Sequence, residues 1–440
     1  MTWKALAIPF SMLLSLPTSL WGGMNPQRSV LPNGLVLVTS EQRTLPIVSM
    51  NLMIRAGSRF DPKGQPGVAN LTSRLLTYGT TQRDAMKISG ILDHLGASLG
   101  ADCGVNLATV HLNILKKDLS VGLGLIAEIL TDASFPDEEV KRLKQTLLAS
   151  IKAKNDRPRT IAQEAFMNTL YPDSPYGRPV EGTEDSVAKI SRAQIVDFYR
   201  RYYRPNRSTL VVVGDVSHQG MATALTKAFA KWEPGESTSD QQLTFAPPER
   251  QPPKVHRNLT QSNIVIGHEG LVRTDPDFYS VRVMNHILGG SGLSSRLGDR
   301  IRNEHGLAYS VYSRFSSGKN VGSFQIGMQT KNENARQAIA LAKAEVERIR
   351  TDGVTDQELA EAKDYLIGSF PLRLDTNRRI AGFLGSVEYL GLGLDYPDRY
   401  PEIIQAVTKD DVLRVAKKYL SPDKLMLVVV GNLDKAGFKN

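Results

Sequence analysis

The sequence predicts an α+β fold of two similar domains, each a mainly antiparallel sheet covered on one face by helices. One segment occurs twice. Ile195-Val-Asp-Phe-Tyr-Arg-Arg-Tyr-Tyr-Arg-Pro-Asn leads into Leu210-Val-Val-Val-Gly-Asp-Val, and Val412-Leu-Arg-Val-Ala-Lys-Lys-Tyr-Leu-Ser-Pro-Asp leads into Leu427-Val-Val-Val-Gly-Asn-Leu. Tyr202 corresponds to Tyr419, Pro205 to Pro422 and Gly214 to Gly431 at one offset, the mark of an internal repeat of about 200 residues. Strand-like runs are followed by pairs of amphipathic helices rather than alternating with them one to one, which favours α+β over a wound parallel sheet. Between the two copies lies a polar, proline-rich stretch without helical or strand period.

Residues 1–23 read as a leader. Lys4 precedes the apolar run from Ala5 to Pro17, and small residues follow up to Gly22 and Gly23. One positive charge, a short apolar stretch and a small-residue exit describe a secretory signal, and the run is too short to span a bilayer. The chain is therefore expected to be periplasmic or otherwise exported. The first repeat, 24–231, opens with strand runs Leu35-Val-Leu-Val and Ile47-Val-Ser-Met-Asn-Leu-Met-Ile, rich in β-branched residues. Apolar residues at helical spacing then predict helices over Leu119–Thr131 and Glu138–Lys154. Ser191 is a hydroxyl N-cap for the helix that ends at Tyr202, and a buried strand follows. Residues 232–257, with Pro234, Gly235, Pro247, Pro248, Pro252 and Pro253, form the expected linker. The second repeat, 258–440, places a turn at Gly289-Gly290-Ser291-Gly292, a strand from Val321 to Met328 and a helix from Ala335 to Arg350. It closes with the Thr408-capped helix and its strand.

Composition narrows the function. The chain is 41% hydrophobic and 22% charged, as a globular protein is, and no stretch beyond the leader approaches the length of a membrane span. Its formal net charge is +9, but Lys and Arg are scattered, with no basic block or basic-aromatic repeat, so nucleic acid is not an expected partner. The single cysteine, Cys103, excludes an intrachain disulfide and reads as a structural thiol. The seven histidines form no H-x-x-H or H-x-x-x-H pair, although His94 and His111 flank a strand and could meet. No G-x-S-x-G elbow, Walker loop or dinucleotide fingerprint is present.

Several local motifs remain. They include Leu31-Pro-Asn-Gly-Leu, then Gly67-Val-Ala followed by Gly79-Thr80, and Ser174-Pro-Tyr-Gly-Arg-Pro with Glu181-Gly-Thr-Glu-Asp. Further on come Leu288-Gly-Gly-Ser-Gly-Leu-Ser-Ser-Arg-Leu, Gly306-Leu-Ala-Tyr-Ser-Val and Asp375-Thr-Asn-Arg-Arg-Ile-Ala. Over nearly the whole chain after the leader they resemble the pitrilysin/insulinase family of zinc peptidases, specifically the short two-repeat branch related to mitochondrial processing peptidases. The resemblance implies two α+β domains facing each other across a chamber. In that family an H-x-x-E-H helix supplies two zinc ligands and a general base, with a glutamate ligand about 76 residues downstream. The matching positions here are Asn70, Ser73, Arg74 and Ser150. Asn binds zinc poorly, Ser is no adequate base at neutral pH, and Arg is a permanent cation. No zinc is therefore expected on this chain.

The family also uses an Arg/Tyr pair from a second half, matched here by Arg302 and Tyr309. Read without the resemblance, these are a helix-end arginine and a buried strand tyrosine. With it, they imply a non-catalytic subunit that works with a homologous zinc-bearing chain on a peptide substrate, and is inactive alone. The alternative expectation is a catalytically inert structural or peptide-binding protein on the same scaffold. The family's substrate-binding edge strand matches Gly96–Asn106, which as sequence reads equally as a plain buried strand.

Overall fold

The computed structural model describes residues 24–236 and 252–438. The expected leader, 1–23, and residues 237–251 of the expected linker lie outside the described residues. Six strands form the first sheet: β1 (Gln27–Val30), β2 (Val36–Glu41), β3 (Ile47–Ile54), β4 (Ser98–Cys103), β5 (Ala108–Leu115) and β6 (Ser208–Gly214). Its order is β1-β2-β6-β3-β5-β4, antiparallel except for the β2–β6 pair. The accompanying helices are α1 (Val68–Leu75), α2 (Ala85–Leu95), α3 (Leu119–Thr131), α4 (Asp137–Lys154), α5 (Pro158–Leu170), α6 (Glu184–Lys189), α7 (Arg192–Tyr202) and α8 (His218–Ala228).

The second sheet contains β7 (Lys254–His256), β8 (Gln261–Glu269), β9 (Ala308–Ser317), β10 (Gly322–Lys331) and β11 (Met426–Gly431), in the order β7-β11-β8-β10-β9. Its helices are α9 (Phe278–Asn285), α10 (Ala335–Asp352), α11 (Asp356–Gly368), α12 (Asn377–Leu390), α13 (Tyr396–Gln405) and α14 (Lys409–Tyr419). The order repeats β2-β6-β3-β5-β4 strand for strand, with the one parallel pair (β7–β11) in the same place. The fold is thus α+β with two similar, mainly antiparallel sheets. Ser191 and Thr408 each close a capping box, accepting from the backbone N–H of Gln194 and Asp411.

Helices cover both faces of each sheet, which corrects the expectation of one covered face. Along β6, Leu210 and Val212 point into the first core, while Val211 and Val213 point the other way, onto Ile380, Ala381 and Leu384 of α12. Along β11, Val429 joins the second core, while Val428 and Val430 face Ala162, Phe166 and Leu170 of α5. Each half therefore places one helix on the other half's sheet. Gly267 leaves the space that the Phe166 ring enters, since a Cβ there would meet Phe166 Cζ at 3.0 Å. Strands buried on both faces have to be continuously apolar, and this is why both copies of the repeat read Leu-Val-Val-Val. Polar contacts follow the exchange: Asn377 Nδ2 donates to Ile47 O at 3.2 Å, and Arg159 Nη2 donates to the Tyr312 hydroxyl at 3.1 Å.

Candidate functional site

Two places matter, each beside one of the corresponding edge strands: helix α1 beside β4, and the turn before β9. Helix α1 starts at Gly67, whose φ of +99° favours glycine and whose Cβ would lie 2.6 Å from Glu181 O. Its N-terminus is capped from a distance. Asp61 Oδ2 accepts from Gly67 N and Oδ1 from Ala69 N, both at 2.8 Å. Burial pushes the Asp61 carboxyl up to about 6, against the lowering effect of those two bonds and of the nearby Arg178 charge. This half-buried carboxylate at the foot of the helix was missed in the sequence; its signal was an acidic residue six positions before the helix-starting glycine.

On α1 the three replaced positions are tied up or unsuited to a metal. Ser73 is fully buried, and its Oγ donates to Asp102 O of β4 at 2.8 Å, fastening the helix to the edge strand. Asn70 Oδ1 is buried without a hydrogen-bond partner. Arg74 brings a permanent cation to the same helix. Ser150 is exposed near the end of α4. One turn further on, Lys154 Nζ pairs with Glu164 at 3.1 Å and with Glu181, so α4 is tied to the loop that borders Gly67. An amide, a hydroxyl bound to backbone, a guanidinium and an exposed hydroxyl do not make a zinc site. Among the described residues, no group of three or more His, Cys, Asp or Glu is gathered where a metal could bind.

The nearby side chains have other tasks. Burial, with the Asp61 charge adding, pushes the Cys103 thiol up to about 12, which makes it a poor nucleophile. The His111 Nδ1 lies 3.8 Å from Asp102 Oδ2, and its imidazole is held below the usual range by burial and by Arg378. Strand β4 is the edge of its sheet and only partly buried, so the reading of 96–106 as a plain buried strand is corrected.

In the second half the structure brings the expected pair together. Arg302 lies in the π-helical turn Gly298–Glu304, and its guanidinium carbon sits 5.1 Å from the centroid of the Tyr309 ring. Along β9, Ser310 pairs with Gln329 and Ala308 with Thr330, which leaves Tyr309 as the extra residue of a β-bulge. A bulge turns its side chain out of the normal alternation. Accordingly Tyr309 is 82% exposed, so the buried-strand reading of this residue is corrected. The pair consists of a guanidinium and a phenol on an open sheet edge, two hydrogen-bond donors able to face a carbonyl oxygen from outside the chain. Among the described residues, no helix is long and apolar enough to cross a membrane.

Comparison with known proteins agrees with this fold. The family pattern described as Insulinase (Peptidase family M16) matches residues 36–184, and that described as Peptidase M16 inactive domain matches 189–366. An uncharacterized zinc protease of Streptomyces coelicolor is 28% identical over 414 residues, covering 92% of this chain and 90% of its own. One of Bacillus subtilis is 25% identical over 405 residues, covering 92% and 98%. Among solved structures, a peptidase M16 inactive domain from Pseudomonas fluorescens superposes with a TM-score of 0.85 at 28% identity, covering 92% of this chain and 98% of its own. A protease from Helicobacter pylori shares the fold, with a TM-score of 0.81 at 20% identity, covering 92% and 99%.

Proposed function

The chain belongs to the peptidase M16 (insulinase) family, and from that premise we propose that it is the non-catalytic subunit of an exported heterodimeric zinc metallopeptidase. It supplies Arg302 and Tyr309 to the active site of a homologous chain that carries H-x-x-E-H. The observation that carries this reading is the contrast between the two edge-strand sites. The α1 site has no ligand set, while the Arg302–Tyr309 pair is assembled, with Arg302 half-buried and the Tyr309 ring exposed. A family pattern described as an inactive domain supports it.

In this reading the zinc belongs to the partner and supplies its Lewis acidity there. The chamber lies between the two chains, and a peptide threads through it. Arg302 orients the scissile carbonyl through its planar donors. The Tyr309 hydroxyl donates to the oxygen as negative charge builds on it. Donors placed in advance around a developing oxyanion are worth more than the same donors in water. The bulge at Tyr309 is what lets the phenol leave the sheet plane to reach another chain.

The decisive experiment mixes the purified chain with an H-x-x-E-H-bearing homologue from the same source. Native mass spectrometry and peptide cleavage are then followed together. A mixed dimer with one zinc per pair, cleaving faster than either chain alone, is the expected outcome. A mixed dimer with no gain in cleavage would leave the second reading, an inert structural or peptide-binding protein, whose binding surface would be the open edge of β4. Zinc bound to this chain alone would overturn the assignment at Asn70, Ser73, Arg74 and Ser150.

A further inference from the structure

We propose that a recess beside edge strand β9 is a subsite for an acidic side chain, Asp or Glu, of the peptide that Arg302 and Tyr309 hold, and that Arg159 reads its charge. This subsite rests on the subunit role given above and adds a substrate class to it. The recess, about 400 Å³ with the solvent at its mouth included, lies between the N-terminal turns of α5 and the second sheet. Its floor is a row of side chains running across that sheet. Val265 and Val430 face α5; Asn263 stands two residues from the first and opposite the second, so it shares their face. Gln329 pairs with Asn263 and Ser310 with Gln329, which carries the row to the open edge. Ser310 is the residue after Tyr309, so the recess opens beside the phenol assigned to the scissile carbonyl.

Arg159 forms one wall. Its Nη2 donates to the Tyr312 hydroxyl at 3.1 Å, and its guanidinium carbon lies 5.3 Å from the centroid of that ring. The ring rests on Gly327, where a Cβ would meet Tyr312 Cζ at 2.5 Å. A glycine on β10 thus lets the tyrosine settle on the sheet and hold the guanidinium above the row. Having accepted one bond, the phenol keeps its own proton to donate. Among the described residues, no carboxylate lines the recess or pairs with Arg159. Asn263 is 8% exposed, and its side-chain amide has no hydrogen-bond partner among the described residues. The recess therefore offers one positive charge, a phenol, the Ser310 hydroxyl and an unused buried amide.

A carboxylate answers each of these features. It neutralises Arg159 and fits the planar guanidinium donors. Its remaining lone pairs accept from the amide and the hydroxyls, which an ionised carboxylate does without donating in return. A lysine or arginine in the same place would meet Arg159 as a like charge. An apolar side chain would cover the Asn263 amide and leave it unpaired, which is costly for a buried polar group.

The test uses the mixed complex and fluorogenic peptides in matched sets, with Glu, Gln or Lys at each position in turn on either side of the cleaved bond. At one position kcat/KM should favour Glu over Gln about tenfold, the scale of a charge-assisted hydrogen bond partly open to solvent. Arg159→Gln should bring that ratio close to one, and Arg159→Glu should shift the preference at the same position to Lys. Arg159 is exposed, so neither change threatens the fold, and native mass spectrometry confirms assembly. A wild-type complex indifferent to Glu, or a Glu preference that survives Arg159→Gln, would overturn the subsite and leave the subunit role standing. If the mixed complex does not cleave, the subunit role falls, and anisotropy of the same peptides on this chain alone decides the subsite. Tighter binding of the Glu peptide, lost in Arg159→Gln, would then support it; equal or absent binding would overturn it.

Discussion

The guanidinium of Arg302 and the ring of Tyr309 stand 5.1 Å apart, one on a π-helical turn and the other on the bulge of an edge strand. Such a contact at an exposed position contributes only about 0.5–1 kcal/mol, so it is not what holds the fold.

Arg302→Ala and Tyr309→Phe should therefore leave the melting temperature nearly unchanged. In the mixed complex each should lower turnover by roughly 10²-fold, the scale for one lost oxyanion donor. Steady-state cleavage by the reconstituted pair measures this, with native mass spectrometry confirming assembly. Full activity in both mutant complexes would remove the pair from the mechanism.

The exchanged helices predict how the chain unfolds. Phe166 of α5 is fully buried against the second sheet, and Leu384 of α12 against the first. Phe166→Ala should cost about 3–5 kcal/mol and Leu384→Ala about 2–5 kcal/mol. Since each helix is part of the other half's core, both losses should shift a single transition in urea. Two separate transitions in the wild-type chain would show that the exchange does not couple the halves.

Ser73→Ala tests the seam between α1 and β4. Its hydroxyl donates to Asp102 O at 2.8 Å, and losing one such bond costs about 1 kcal/mol. Faster amide exchange should follow across Ser98–Cys103, with little change in β3 or β5. Hydrogen exchange read by mass spectrometry resolves these segments.

Two carboxylates set opposite pH dependences. Asp61 is pushed up to about 6, so the native state binds its proton more tightly than the unfolded chain, whose aspartates titrate at about 3.9. Its contribution is full below the unfolded value and is lost as pH rises through 6. Asp61→Asn should flatten the fall in stability over that range. Burial opposes ionisation of Asp277, but hydrogen bonds from Lys418, Arg414 and Tyr419 outweigh it and hold the carboxyl at about 2. That contribution is full above about 4 and is lost as pH falls through 2. Asp277→Asn should therefore be destabilising at pH 7 and progressively less so in acid. Melting curves from pH 2.5 to 8 separate the two variants.

Much of this protein was legible in its sequence because the information is local. Amphipathic spacing gave α3 its observed limits, Leu119–Thr131, and the same pattern located α4 and α10 to within two residues at each end. Ser191 and Thr408 announced their helices through a side chain that bonds three residues ahead. The replaced positions at Asn70, Ser73 and Arg74 were readable because i and i+4 on one helix share a face whatever surrounds them.

Tertiary structure decided what depends on residues far apart in the chain. The sequence showed that β6 and β11 would be buried strands, but not that their second faces would be covered, nor that α12 and α5 would cross over to cover them. That choice rests on contacts between residues more than 90 positions apart, such as Phe166 with Val265. The bulge that exposes Tyr309 is a mismatch with β10, and register belongs to two strands at once. The sequence by itself determined the repeat, the helices and the loss of the zinc ligands. Packing between distant segments determined which helix covers which sheet and which tyrosine faces out.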